Sequence, residues 1–161
     1  METKERNASF FRFEDLRIYD KAVDYSSWVA KTLNGAATTT SNSTLKDAFL
    51  KGTLAICVNI AEGSYRSKTQ FEVYLKVAKS AIRECTVYTS VAHKLEIFTD
   101  DDYEKSRELL MELTRMLGAL IVSLQRNVGR RKENQSSETV QDEETETTSI
   151  DVDDESFNLD F

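Results

Sequence analysis

The stretch FEVYLKVAKSAIRECTVYTSVAHKL, residues 71–95, decides the fold class. Within it Phe71, Leu75, Ala78, Ile82, Cys85, Thr89 and Ala92 recur at alternating steps of four and three. That spacing lays side chains along one stripe of an α-helix, as the seam of a helix bundle requires. Just upstream, Ser67 with Gln70 three residues later makes a capping box, so the spacing predicts a helix from about residue 67 to about Glu96. The chain of 161 residues has no proline and five glycines. Proline interrupts helices and glycine costs about 1 kcal/mol in a helix interior, so this composition favours long uninterrupted helices.

Three more periodic segments flank this one. Upstream, a helix is expected from near Thr44, with Asp47 as a weak capping partner, to near Gly63. Its stretch Thr53–Ala61, TLAICVNIA, carries no charge and is apolar around most of its circumference. An outer helix of a monomeric bundle should show a polar face, so this helix is either central in the core or buried on its outer side by an oligomer. Before it, residues 14–33 carry two apolar rows, Leu16, Tyr19, Val23, Ala30 and Ile18, Ala22, Tyr25, Val29. Asn34-Gly35 is a plausible stop and residues 36–43 (AATTTSNS) read as a polar loop. Downstream, Thr99 with Asp102 signals a fourth helix over residues 100–127, with Tyr103, Leu110, Leu113, Leu117, Leu120 and Leu124 as its core row and Gly129 as a terminator. The expectation is all-α: a four-helix bundle at residues 14–128, an N-terminal arm at 1–13, and an acidic tail at 129–161.

Charge divides the chain in the same place. The formal net charge is −7, yet all 21 Lys and Arg lie in residues 1–132 with 17 acids, a net +4, while residues 133–161 hold 11 acids and no base. The tail has too little apolar surface to offset the entropy of ordering it and reads as disordered when free. Its last stretch, IDVDDESFNLDF at 150–161, sets apolar residues among acids, and Phe157, Leu159, Asp160 and Phe161 read as a docking motif for a partner protein. A basic body with an acidic end is a prior for nucleic-acid contact or for a tail that recruits partners. No apolar run reaches the length of a membrane span, and the amino end METKERNASFF lacks the pattern of a secretory signal, so the cytoplasm is expected.

Catalytic signatures are hard to find. His93 is the single histidine and is preceded at minus three by Ser90, so the paired Glu-x-x-His motif of di-iron bundles is missing. No phosphate-binding glycine loop and no Cys/His cluster occurs, and Cys57 and Cys85 sit in apolar helical stretches where a thiol behaves as a small hydrophobe. No metal or cofactor is expected. Glu62 and Glu84 fall in largely apolar helices, where a carboxylate is costly unless paired. A paired carboxylate can serve catalysis, but a register-fixing role, by bonding an Arg or a backbone N–H, fits the surroundings better, and Asn59 one turn before Glu62 is a candidate for the same polar network. Lys68, Lys76, Lys79 and Arg83 fall along one side of the third helix, with Arg66 leading into it. That stripe either follows a phosphate backbone or is a solvated face interrupted by Glu72.

The segment LAICVNIAEGSYR at 54–66, together with the stretch quoted first, resembles the Asn-Ile-Ala-Glu-Gly signature of a bacterial four-helix-bundle family. That family is named for proteins encoded by intervening sequences in 23S ribosomal RNA genes and includes the accessory variability determinant proteins of diversity-generating retroelements. FRFEDLRIYDKAVDY at 11–25 is similar to its first helix, and Asn59, Glu62, Gly63 and Glu84 match its motif positions. The resemblance, over residues 11 to about 127, implies an antiparallel up-down four-helix bundle that assembles into a ring-like homopentamer without known catalytic residues. In retroelement members it also implies binding of nucleic acid and a reverse transcriptase through basic surface. The acidic tail lies outside this pattern. Its ending, DDESFNLDF, is similar to the acidic, Phe-terminated ends of bacterial single-stranded-DNA-binding proteins, without their Pro-Phe. Two functions are therefore expected: an oligomeric, non-enzymatic accessory protein that binds RNA or DNA or an enzyme acting on it, or an oligomeric adaptor that presents the tail to such a partner.

Overall fold

Ile18, Ala22, Tyr25, Val29 and Leu33 line the buried side of helix α1, Arg17–Gly35. They are the second of the two apolar rows; in the first, Leu16 and Tyr19 are half-buried and Val23 is exposed. The computed structural model describes residues 10–36 and 40–139, and for residues 40, 41 and 127–139 the backbone only. A short 3-10 turn, Arg12–Asp15, precedes α1, which starts later than Glu14 because Leu16 is extended (φ −84°, ψ 111°). Helix α2 spans Thr40–Ser64, α3 Lys68–Lys94 and α4 Asp100–Thr139.

Two caps match their sequence signals and one does not. Ser67 Oγ accepts from the Gln70 N–H at 3.3 Å. At α4 the box is reciprocal: Asp102 N–H donates to Thr99 Oγ1 and Thr99 N–H to Asp102 Oδ2, both at 3.1 Å. Helix α2 instead begins at Thr40, so Thr44 lies inside the helix and caps nothing at its start. The loop is correspondingly shorter than 36–43, and the Lys46 ammonium donates to the Ala36 carbonyl at 2.9 Å, a cation at the C-terminal end of α1 where the helix dipole favours it. At the far end, α4 runs through Gly129 to Thr139 instead of stopping near Asn127. One glycine costs about 1 kcal/mol, and the following RRKENQ is built mostly of good helix formers. The chain divides into two compact units, Met1–Val128 and Gly129–Phe161; the first is the bundle. The tail residues Phe157, Leu159, Asp160 and Phe161 lie outside the described residues.

Helix α3 ends in a Schellman arrangement. The Ile97 N–H reaches the Ala92 carbonyl at 2.9 Å and the Glu96 N–H reaches that of His93 at 3.0 Å. Glu96 takes the left-handed conformation (φ 57°) that this motif requires and that glycine adopts most easily. The turn drives Ile97 and Phe98 into the core, where Phe98 packs against Trp28 at 5.8 Å and Phe49 at 5.7 Å between ring centroids.

Contacts fix the direction of each neighbouring pair. Phe13, just before α1, meets Tyr65 after α2, while Ser26 bonds Thr53 at 3.0 Å nearer the middle. Gly63 of α2 faces Phe71 and Tyr74 of α3, and Gly52 faces Cys85 and Tyr88. Gln125 of α4 donates to Glu72 at 2.7 Å, and Ser106 bonds Thr89 at 2.7 Å. Lys21 pairs with Glu112 at 3.1 Å while Tyr25 bonds Ser106 at 3.0 Å. In each case residues late in one helix meet residues early in the next, so neighbours run antiparallel. Leu75, Ala78, Ile82, Cys85, Thr89 and Ala92 are all buried, as the α3 seam predicts. From α2 come Phe49, Ile56 and Ile60, and from α4 Leu110, Leu113, Leu117 and Leu124.

Helix α2 is not central. Leu54 and Val58 are 53% and 61% exposed, because each helix of a four-helix layer keeps one face outward and no described element covers this one. Both thiols are buried and desolvation pushes them up, Cys57 to about 11 and Cys85 to about 12. Neither forms a nucleophilic thiolate near neutral pH.

Three stability tests follow from this packing. A Cβ on Gly63 would lie 2.6 Å from Tyr74 Cβ, so Gly63→Ala is expected to lower unfolding free energy by about 1–3 kcal/mol, read from the urea midpoint. Gly118, inside α4, has nothing within 4 Å of such a Cβ, and Gly118→Ala should raise it by about 0.5–1 kcal/mol. Glu96→Gly should also stabilise, by up to about 1 kcal/mol, by removing the left-handed penalty; an unchanged or lower midpoint would show that the Glu96 conformation carries no such penalty.

Candidate functional site

Lys68, Lys76, Lys79 and Arg83 occupy an arc of about 80° on α3, at 3.6 residues per turn. Glu72 lies in the same arc and accepts from Gln125 of α4, so the arc borders α4. Lys76 pairs with Glu72 at 2.7 Å, and that bond, with the one from Gln125, lowers the Glu72 carboxyl below its usual range. Arg66 is matched by Glu62 one turn earlier and lies 6.0 Å from the Tyr74 ring centroid. Lys68, Lys79 and Arg83 have no acidic partner among the described residues. The predicted stripe therefore holds two neutralised cations and three uncompensated ones.

Helix α4 adds two cations to this face that the charge pattern of α3 did not announce. Arg107 and Arg115 line a cleft of about 270 Å³ with Thr86 of α3 and Leu110, Met111 and Thr114 of α4. Leu110 is buried and Met111 half-exposed, so the lining between the arginines is apolar. The Thr86 and Thr114 hydroxyls donate to the carbonyls of Ile82 (2.9 Å) and Leu110 (2.8 Å) in their own helices. Only the guanidinium groups are left as side-chain donors to a ligand. The Arg107 guanidinium lies 5.6 Å from the Tyr103 ring centroid, and Tyr103 stacks on His93 with centroids 4.6 Å apart. His93 Nε2 in turn lies 2.7 Å from Asp100 Oδ1, so the single histidine belongs to a surface stack. The signal for the two arginines was their separation by eight residues with Met111 midway, which places all three on one side of α4.

The motif residues are arranged differently from the polar network expected of them. Glu62 and Glu84 are both exposed; Glu62 has an Arg partner, Arg66, but at the surface and within its own stretch of chain, where it does not fix the register of two helices. Asn59 donates to the Ala55 carbonyl of its own helix at 2.7 Å and does not reach Glu62. Glu62 lies one turn beyond Val58 on the exposed row of α2, and Glu84 borders a groove of about 480 Å³ with Ala55, Val73, Lys76, Val77, Ser80 and Ala81. Of the four, Gly63 has a clear structural task, the close approach of α2 and α3. Valines 73, 77, 87 and 91 of α3 are exposed, as Leu54 and Val58 are on the neighbouring α2. Their row repeats the period of the seam but is offset from it, which hid it behind the stronger core pattern.

A crystal structure of a protein of unknown function from the S23 ribosomal protein family of Bacteroides thetaiotaomicron superposes with a TM-score of 0.60 at 18% identity, covering 65% of this chain and 94% of that one. The likeness is one of fold. No curated protein matches the sequence. The sequence profile of the 23S rRNA-intervening sequence proteins matches residues 14–119, from the turn before α1 well into α4. This chain belongs to the 23S rRNA-intervening sequence protein family.

Proposed function

We propose that the chain is a non-catalytic, self-associating accessory protein that binds nucleic acid through its α3–α4 face, alone or with an enzyme acting on that nucleic acid, such as a reverse transcriptase. The observation that carries this reading is the set of uncompensated cations, Lys68, Lys79, Arg83, Arg107 and Arg115, on two adjacent helices. None of the five has an ion-pair partner among the described residues, and cations left unpaired on one face repel one another; a polyanion relieves that repulsion while releasing its own counterions. Self-association is supported by the second surface, where Leu54, Val58, Val73, Val77, Val87 and Val91 are exposed. Apolar residues spread over two neighbouring helices, with a row of basic residues on the next face, are better suited to a second copy of the chain than to water. A ring-like pentamer is the assembly the family resemblance suggests.

Two measurements test the reading. Fluorescence anisotropy with labelled oligonucleotides is expected to show affinity that falls linearly on a log–log plot against salt, with each of Lys79→Glu, Arg83→Glu and Arg107→Glu reducing the slope by about 1. No binding by the full chain in 20 mM salt would overturn it. Sedimentation should show an oligomer that Val58→Glu and Val77→Glu convert to monomer with helix content retained; an unaltered assembly would place the interface elsewhere.

A further inference from the structure

We infer that the α3–α4 cleft binds an unpaired nucleotide, so that the cationic face prefers single-stranded to duplex nucleic acid. The inference rests on the nucleic-acid reading above and specifies what that face selects. Arg107 and Arg115 stand eight residues apart on α4, about 12 Å along its axis, and Leu110 and Met111 form the apolar floor between them. A duplex keeps its bases stacked inside and offers a protein surface its phosphates and sugars. Lying along the α3 stripe it would satisfy Lys79 and Arg83 but leave the cleft floor wet. A single strand can turn one base into the cleft, where it covers Met111 and stacks on the Arg107 guanidinium while its phosphates reach Arg115 and the stripe.

Two details favour this occupant. The Arg107 guanidinium is already positioned by Tyr103, and Tyr103 by His93, so little side-chain freedom is lost when a base lands on it. The threonine hydroxyl protons are committed to backbone carbonyls, so the cleft lacks neutral side-chain donors with which to read a base edge. Recognition by stacking and phosphate contact tolerates any sequence, and only weak base preference is expected.

The test uses the full chain, a labelled 20-nucleotide oligothymidine, and a 20-base-pair blunt duplex at one salt concentration. The expected result is about tenfold tighter binding of the single strand, the size of one stacking contact. Arg107→Gln and Lys79→Gln remove the same charge from the same face. They should weaken duplex binding alike, while Arg107→Gln costs the single strand about tenfold more than Lys79→Gln does. Met111→Gln, which is neutral, should also lower single-strand binding selectively. Equal or tighter duplex binding, or an identical single-strand-to-duplex ratio in the two charge variants, would overturn the cleft while leaving the cationic face as a nucleic-acid surface. If neither oligonucleotide binds, the face and the cleft fall together.

Discussion

Helices α2 and α3 meet at Gly63, where any side chain would collide with the Cβ of Tyr74 at 2.6 Å and with the ring of Phe71 at 2.7 Å. A second near contact, Gly52 against Cys85 and Tyr88 at 3.2 Å, repeats the approach three turns away. These two points set the register of α2 on α3. With the register fixed, Ile56 and Ile60 face the core, Leu54 and Val58 stay exposed on α2, and Ala55 joins Val73 and Val77 of α3 in lining one groove. The close approach that lets the bundle form therefore also builds the groove shared by α2 and α3, part of the surface proposed for self-association. The same chain of dependence reaches the other face, since the seam of α3 can pack inward only if its basic arc turns toward α4.

A second constraint selects the partner for α1, α3 and α4. Tyr25, Thr89 and Ser106 are fully buried, and their hydroxyls form a chain, Tyr25 to Ser106 at 3.0 Å and Ser106 to Thr89 at 2.7 Å, closed by the bond from Thr89 to the Cys85 carbonyl at 2.8 Å. Burial pushes the Tyr25 phenol well above its ordinary range, so it stays protonated. Leaving one of these groups unpaired would cost about 1–3 kcal/mol, so a slipped register is penalised at three helices together. Apolar contact is tolerant of small shifts; this network is not.

Legibility in the sequence followed the strength of the local signal. The α3 seam and the Ser67 and Thr99 caps were readable because each rests on spacing within a few residues; the antiparallel order was not, and came only with the family resemblance. The start of α2 was not: Thr40–Ser43 has loop composition, yet the helix begins at Thr40, and the Lys46 bond to the Ala36 carbonyl ties its first turns to the end of α1. Glu62 and Glu84 were misjudged for a related reason. Their neighbours are apolar, but those neighbours face outward, and exposure cannot be read from hydrophobicity when one helix has two apolar sides. For the site, the α3 cations were visible and their pairing was not. Glu72 falls among them and compensates Lys76, while the arginines that enlarge the face come from α4, whose rotation against α3 is a tertiary fact.

The two surfaces differ in how they can coexist with stability. An exposed valine row costs solubility unless covered, and cations without acids cost self-repulsion unless a polyanion or salt screens them. Both liabilities sit on α3, on either side of its outward line, so one helix is shared by the face that would join copies and the face that would hold a ligand. A ring built through the α2–α3 side would present each copy's α3–α4 cations at a fixed spacing, and several weak phosphate contacts held in register bind far more tightly than one. In such a ring a net charge of only +4 in the body would be no obstacle to binding, because the assembly would repeat the field that one copy carries.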